Sequence, residues 1–189
     1  MGLEDHSGVL FDARSGSHVH TFLHEGRVGS VSLSADGHWA LTGSDDETIA
    51  LWDLGSGERV HRIPQSNPVN VVAISRTGRF LFAAAEQRVV GLWDGGSGSA
   101  LHTLAERNTG VTAARFSQDE SQLLIGYVNR RIELWSTSSG QRIARWDAGA
   151  RNPWHPTGSA ILAVGFTTDH RLVRAITGDG RLLDLALST

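Results

Sequence analysis

The chain has 189 residues, 40% hydrophobic and 20% charged, with a net charge of −3 and a pI near 6.3, the make-up of a globular domain with enough apolar mass for a core. It has no cysteine and no lysine, all 17 basic residues being arginine, which excludes disulfides, thiolate metal sites and Schiff-base chemistry. With no surplus of positive charge there is no field to hold a nucleic-acid backbone. The opening MGLEDHSG has no basic-then-apolar signal pattern. The longest apolar run, Ala160 to Phe166, is too short to span a bilayer. The expectation is a cytoplasmic protein that binds neither nucleic acid nor membrane.

The elements are short strands separated by Gly, Ser and Asp turns, with no helical periodicity. Residues 7–14 alternate as a strand, Ser15-Gly16 is a turn, and His18 to Phe22 is a second short strand. The next unit reads as strands at 28–34, 38–43, 48–53 and 58–63, with turns at Ala35-Asp36-Gly37, Asp45-Asp46-Glu47 and Leu54 to Gly57. A second unit repeats this at 69–75, 79–84, 89–94 and 99–104, and a third at 111–117, 121–126, 131–136 and 141–146. A fourth has strands at 161–167 and 171–176 and a last one within 181–189.

The units copy one another in sequence as well as in length. SGVLFDARSG begins at 7, TIALWDLGSG at 48, VVGLWDGGSG at 89 and RIELWSTSSG at 131, offsets of 41, 41 and 42 residues. That spacing, with Trp-Asp closing an apolar run, resembles the WD-repeat β-propellers over residues 7–189. The resemblance implies an all-β fold: a partial WD-repeat β-propeller with about four blades of four antiparallel strands. Residues 1–189 then form one propeller segment. It has a partial blade at 7–22, repeats at 28–63, 69–104, 111–146 and 161–189, and an inserted loop at 147–160. Propellers of this family usually close with seven blades. A shorter count implies an open arc, a fragment of a larger seven-bladed type, or self-association that completes the ring, because each blade buries its faces on its neighbours.

The family carries a buried hydrogen-bonded tetrad of His, Ser or Thr, Asp and Trp. In the first repeat the matching residues are His24, Thr42, Asp46 and Trp52. The later repeats keep the tryptophan at Trp93 and Trp135 but depart elsewhere, with Gln65, Ala83 and Gln87 in the second, Arg107, Ile125 and Asn129 in the third, and Thr157, Ala175 and Asp179 in the fourth. Those repeats are expected to rest on apolar packing. In the last strand either Leu185 or Leu183 takes the tryptophan place. His24, Thr42 and Asp46 also have the residue types of a catalytic triad, but the resemblance makes the set structural. Nine histidines raise the question of a metal. His18 and His20 share a strand face but have no acidic or cysteine partner nearby, and His20, His61 and His102 recur singly on separate units, so no metal site or cofactor is expected.

The resemblance also implies a top face for partners, around the start of each first strand and just before the turn Asp. Its polar residues are Arg27, Asp45, Asn70 and Glu86; the other positions there are Gly29, Pro68, Gly110, Thr112, Val128, Ala160, Leu162 and Gly178. The loop at 147–160 breaks the period and holds Arg151, Trp154 and His155, the last two between Pro153 and Pro156; Trp and Arg are residue types that dominate binding hot spots. These seven polar and aromatic residues are the candidate contacts to a protein or peptide. The expected function is a non-enzymatic scaffold for protein–protein interaction through the top face. Two alternatives are a propeller enzyme or sensor with a ligand or cofactor at the channel mouth, and a truncated fragment without function.

Overall fold

The computed structural model describes residues 6–86, 90–105, 110–148, 160–167 and 172–186. Its elements are seventeen β-strands, with no helix among the described residues. The first pair is β1 (Ser7–Phe11) and β2 (His18–Leu23). The first four-stranded sheet is β3 (Val28–Leu33), β4 (Trp39–Ser44), β5 (Thr48–Asp53) and β6 (Arg59–Pro64). The second is β7 (Val69–Ile74), β8 (Phe80–Ala85), β9 (Val90–Asp94) and β10 (Ala100–Ala105). The third is β11 (Val111–Phe116), β12 (Gln122–Tyr127), β13 (Arg131–Ser136) and β14 (Arg142–Asp147). A three-stranded sheet follows in β15 (Ile161–Phe166), β16 (Leu172–Thr177) and β17 (Leu182–Ala186). Every sheet is an antiparallel meander in chain order. Strand bounds fall within a residue or two of those read from the sequence, except that the first strand ends at Phe11 and not at residue 14.

The chain divides into two compact units, Met1–Asn108 and Thr109–Thr189. In the first, Leu41, Ile49, Leu51 and Ile63 on one sheet pack against Val69, Val72, Ile74, Leu81 and Trp93 on the next. The other face of the β3–β6 sheet buries Ala40, Ala50 and Trp52 against Phe22. In the second unit, Leu124, Ile132 and Leu134 meet Ile161, Val173 and Ala175. The middle strands β4, β5, β8, β9, β12 and β13 are buried along most of their length, and they read as continuous apolar runs instead of alternating ones.

Two local devices recur. Each of the four sheets has a register shift one residue into its first strand, at Val28/Ser30, Val69/Val71, Val111/Ala113 and Ile161/Ala163. This is a β-bulge, which leaves the extra residue outside the ladder; here it is Gly29, Asn70, Thr112 or Leu162. The second device is the turn after the Trp-Asp pair. Asp53 Oδ1 accepts from the Gly55 and Ser56 N–H groups at 2.8 Å each, and Gly57 closes the turn at φ 77°. Asp94 and Gly98 repeat it, and Asp12 and Gly16 do so in the partial unit. The aspartate therefore serves its own turn.

The pairing also decides the last strand. Ala40, Leu81 and Leu123 lie opposite Trp52, Trp93 and Trp135, and Val173 lies opposite Leu185. Leu185 holds the tryptophan place. Asp184 therefore falls where Leu51, Leu92 and Leu134 stand in the other sheets, and it pairs with Arg174.

Candidate functional site

The tetrad residues meet in one network. Asp46 sits in the β4–β5 turn, where its Oδ1 accepts from the Thr48 N–H (3.0 Å) and hydroxyl (2.6 Å) and its Oδ2 accepts from the Glu25 N–H (3.0 Å). His24 Nδ1 lies 2.9 Å from Asp46 Oδ2, and its Nε2 lies 2.7 Å from Thr42 Oγ1. The Trp52 indole N–H donates to the same hydroxyl at 2.8 Å. An ionised carboxylate can only accept, so His24 Nδ1 carries the proton and Nε2 accepts from the Thr42 hydroxyl. The donors run Trp52 to Thr42 to His24 to Asp46 without a break. Burial by itself would push the Asp46 carboxyl up; the hydrogen bonds from Thr48, Glu25 and His24 outweigh it and hold the group at about 2.

His24 and Asp46 have triad-like distances, but the side chains are only 1% and 5% exposed. Thr42 is fully buried, and its oxygen is already engaged by Trp52. No substrate carbonyl could approach that hydroxyl. The network ties the segment before β3, at His24 and Glu25, to β4 and β5.

The later repeats show what loss of the tetrad leaves behind. Ile125 replaces Thr42 in the third sheet, and the Trp135 Nε1 is buried with no hydrogen-bond partner among the described residues. Gln65, in the place of His24, has a buried Nε2 in the same condition. Gln87, Arg107 and Thr157 lie outside the described residues. The third sheet does not rest on apolar packing alone, as the sequence reading held. Glu133 is buried opposite Ile125, accepts from the Tyr127 hydroxyl at 2.8 Å and from Arg142 at 3.1 Å, and has Arg131 at 3.7 Å. Arg131 also lies over the Tyr127 ring, 4.5 Å from its centroid. Burial, then the Glu133 hydrogen bond and charge, push the Tyr127 hydroxyl well above its usual range. The sequence did carry a signal: an acid stands mid-strand where the other repeats have Ala50 and Gly91.

The recurring histidines act between sheets. His20 Nε2 donates to the Leu54 carbonyl at 2.9 Å, and His61 Nε2 to the Gly96 carbonyl at 3.1 Å. Each stitches a fourth strand to the turn of the following sheet. Among the described residues there is no group of three or more His, Cys, Asp or Glu able to hold a metal ion.

Four of the candidate partner residues, Arg27, Asp45, Asn70 and Glu86, fall at one end of the sheets of the first unit. A backbone clasp recurs in both units: the N–H of Asp45, Glu86, Val128 and Gly178 donates to the carbonyl of Arg27, Pro68, Gly110 and Ala160. In the first unit the clasp carries exposed polar pairs. Arg27 Nε meets Asp45 Oδ2 at 3.1 Å, and Asn70 Nδ2 donates to Glu86 Oε1 at 3.2 Å. Ser30 and Ser32 accept from the Val72 and Ile74 N–H groups, so β3 and β7 run in the same direction and both pairs lie at the same end. In the second unit Thr112 and Leu162 stand where Asn70 does, and Val128 and Gly178 where Asp45 and Glu86 do; of these, Val128 and Leu162 are exposed and apolar. Arg151, Trp154 and His155 lie outside the described residues.

Repeated four-stranded antiparallel sheets, a shared bulge and the His-Thr-Asp-Trp network define a class, the partial β-propeller. Comparison with family signatures matches "WD domain, G-beta repeat" at residues 16–53, 57–94 and 98–136, together more than half of the chain. The chain belongs to the WD40 repeat family. Comparison with curated protein sequences gives no match. Among solved structures the chain is similar to the computationally designed Ika8 protein, with a TM-score of 0.78 and 19% identity, covering 98% of this chain and 54% of that one. It is also similar to the computationally designed Ika4 protein, with a TM-score of 0.73 and 20% identity, covering 92% of this chain and 99% of that one. The chain thus spans about half the length of the Ika8 chain. At these identities the likeness concerns the fold.

Proposed function

We propose that this chain is a non-enzymatic scaffold that binds a protein or peptide at the clasp end of its sheets. The observation that carries the reading is the pairing of Arg27 with Asp45 and of Asn70 with Glu86 at one end of the first unit. These side chains are solvent-exposed, yet each is oriented by its partner, so little rotamer freedom is lost when they meet a ligand. They add little to stability, because exposed pairs contribute only about 0–1 kcal/mol. The mixed charge suits a polypeptide better than a phosphate backbone. Arg151, Trp154 and His155 belong to the same proposal, supported by their residue types and by the break in the repeat.

The test is selection of binders from a phage-displayed peptide library on the intact chain, followed by titration against the Arg27→Ala/Asp45→Ala/Asn70→Ala/Glu86→Ala variant. The expected result is at least tenfold weaker binding with the melting temperature within 2 °C or so of the parent. Equal binding by parent and variant would refute the assignment of this face.

A further inference from the structure

The two sheets of the first unit differ at one position of their clasp end. In each first strand the bulge leaves one residue outside the ladder, and that residue stands just beyond the clasp: Gly29 after Arg27, and Asn70 after Pro68. In the second sheet the bulged residue holds the acid, with Asn70 Nδ2 donating to Glu86 Oε1 at 3.2 Å, and Pro68 has no side-chain donor to offer. In the first sheet Arg27 does the holding, Nε to Asp45 Oδ2 at 3.1 Å, and Gly29 leaves the bulged place empty. Thr112 and Leu162 fill the equivalent place in the second unit.

The empty place is open space. A Cβ on Gly29 would have a single heavy atom within 4 Å, the Val69 carbonyl oxygen at 3.4 Å, and Gly29 is itself exposed. Its backbone does not lie in the left-handed region that favours glycine, and Leu162 shows that the same bulge accommodates a large side chain. What the glycine supplies is room for something to approach the backbone. Val69 directly precedes Asn70, so the recess lies between the Arg27–Asp45 pair and the Asn70–Glu86 pair. Its floor is a carbonyl oxygen. The charges of Arg27 and Asp45 cancel, whereas Glu86 is held by a neutral amide and keeps its negative charge. The second carboxylate oxygens of Asp45 and Glu86 and the Asn70 side-chain carbonyl remain acceptors with no donor among the described residues.

We propose that this recess takes one cationic side chain, a lysine or an arginine, of the bound polypeptide. The inference rests on the reading that this end binds a protein or peptide, and it names the residue the partner has to bring. A cation offers only donors, which match the acceptors around Gly29, and its charge balances that of Glu86. A long stem lets the charged head reach past the Arg27–Asp45 pair to the floor. An acidic side chain would meet oxygens on every side, and an apolar one would take water from them and return no donor. Gly29 is thus a specificity position, and a side chain there would close the recess.

The probe is a phage-displayed random peptide library selected on the intact chain. The tightest selected peptide is synthesised as it stands and with its Lys or Arg replaced by Gln, and both forms are titrated against the parent and Gly29→Leu. The selected peptides are expected to share a Lys or Arg. Its replacement should weaken binding to the parent about tenfold, and Gly29→Leu should weaken the original peptide by about the same factor. The losses should not add, so that the replaced peptide binds parent and variant within about twofold of each other. Additive losses, unchanged binding by Gly29→Leu, or selected peptides without a cationic residue would overturn the proposal. The Arg27→Ala/Asp45→Ala/Asn70→Ala/Glu86→Ala variant separates the two readings. Weaker binding to it with Gly29→Leu unaffected removes the recess and leaves the face, whereas unchanged binding by both variants, or a library that yields no binder, removes both. Should Gly29→Leu not fold, Gly29→Asn, which copies the bulged residue of β7, carries the same comparison and the same outcomes.

Discussion

Replacing Thr42 by valine tests whether the tetrad is one connected network. The shapes of the two side chains match, so the change removes one hydroxyl and keeps the volume of a side chain that is fully buried. That hydroxyl stands 2.8 Å from Trp52 Nε1 and 2.7 Å from His24 Nε2, and both partners are buried. Each would be left without its hydrogen bond inside the protein, at about 1–3 kcal/mol apiece. Shared relaxation makes the two costs less than additive, so Thr42→Val should destabilise by about 2–4 kcal/mol. The Trp135 indole already lacks a partner, so the fold survives one such loss and the variant should remain foldable. Urea unfolding followed by far-UV circular dichroism measures the change. Thr42→Ser, which keeps the hydroxyl and loses a methyl group, should cost only about 1 kcal/mol. A Thr42→Val change below about 0.5 kcal/mol, or one no larger than that of Thr42→Ser, would refute the reasoning, since it would mean the hydroxyl carries none of the load.

Three further outcomes follow from named contacts. The folded Asp46 carboxyl is held at about 2, below its ordinary 3.8, so its contribution is complete above pH 4 or so and is lost as pH falls through about 2. The shift corresponds to about 2 kcal/mol, and the stability gap between the parent and Asp46→Asn should narrow by roughly that much between pH 4.5 and pH 2. A gap that is flat across this range would show that the carboxylate is not specifically stabilised. Glu133→Ala removes the acceptor of the buried Tyr127 hydroxyl and of Arg142, and should cost about 2–3 kcal/mol, a drop of ~4–10 °C in melting temperature. An unchanged melt would mean the cluster is incidental. Gly43→Ala puts a methyl 2.6 Å from Val69 Cγ1 and should cost about 1–3 kcal/mol by overpacking. Gly165→Ala meets nothing within 4 Å and should change stability by less than about 0.5 kcal/mol; equal effects in the two melts would contradict the packing account.

The sequence by itself determined the repeat, the strand order within each sheet and the residues of the tetrad. These are local or periodic properties. A strand is written in two-residue alternation and turn chemistry, and a motif at constant spacing puts each copy in the same register. It also marked Arg27, Asp45, Asn70 and Glu86, since their positions relative to the repeat are regular. Tertiary structure alone decided how equivalent positions differ. Leu185 over Leu183 is a question of pairing register, which shifts by whole residues without changing composition. The Glu133 cluster joins side chains from β12, β13 and β14 that stand in no motif, and only the folded sheet shows that the acid is buried and satisfied. Gly43 and Ile176 occupy the same place in their repeats. Val69 and Val72 of the next sheet press on Gly43 and leave no space for a larger side chain, whereas no sheet packs on Ile176 among the described residues. A sequence states which residue stands at a position, but the space around that position is set by whatever packs against it.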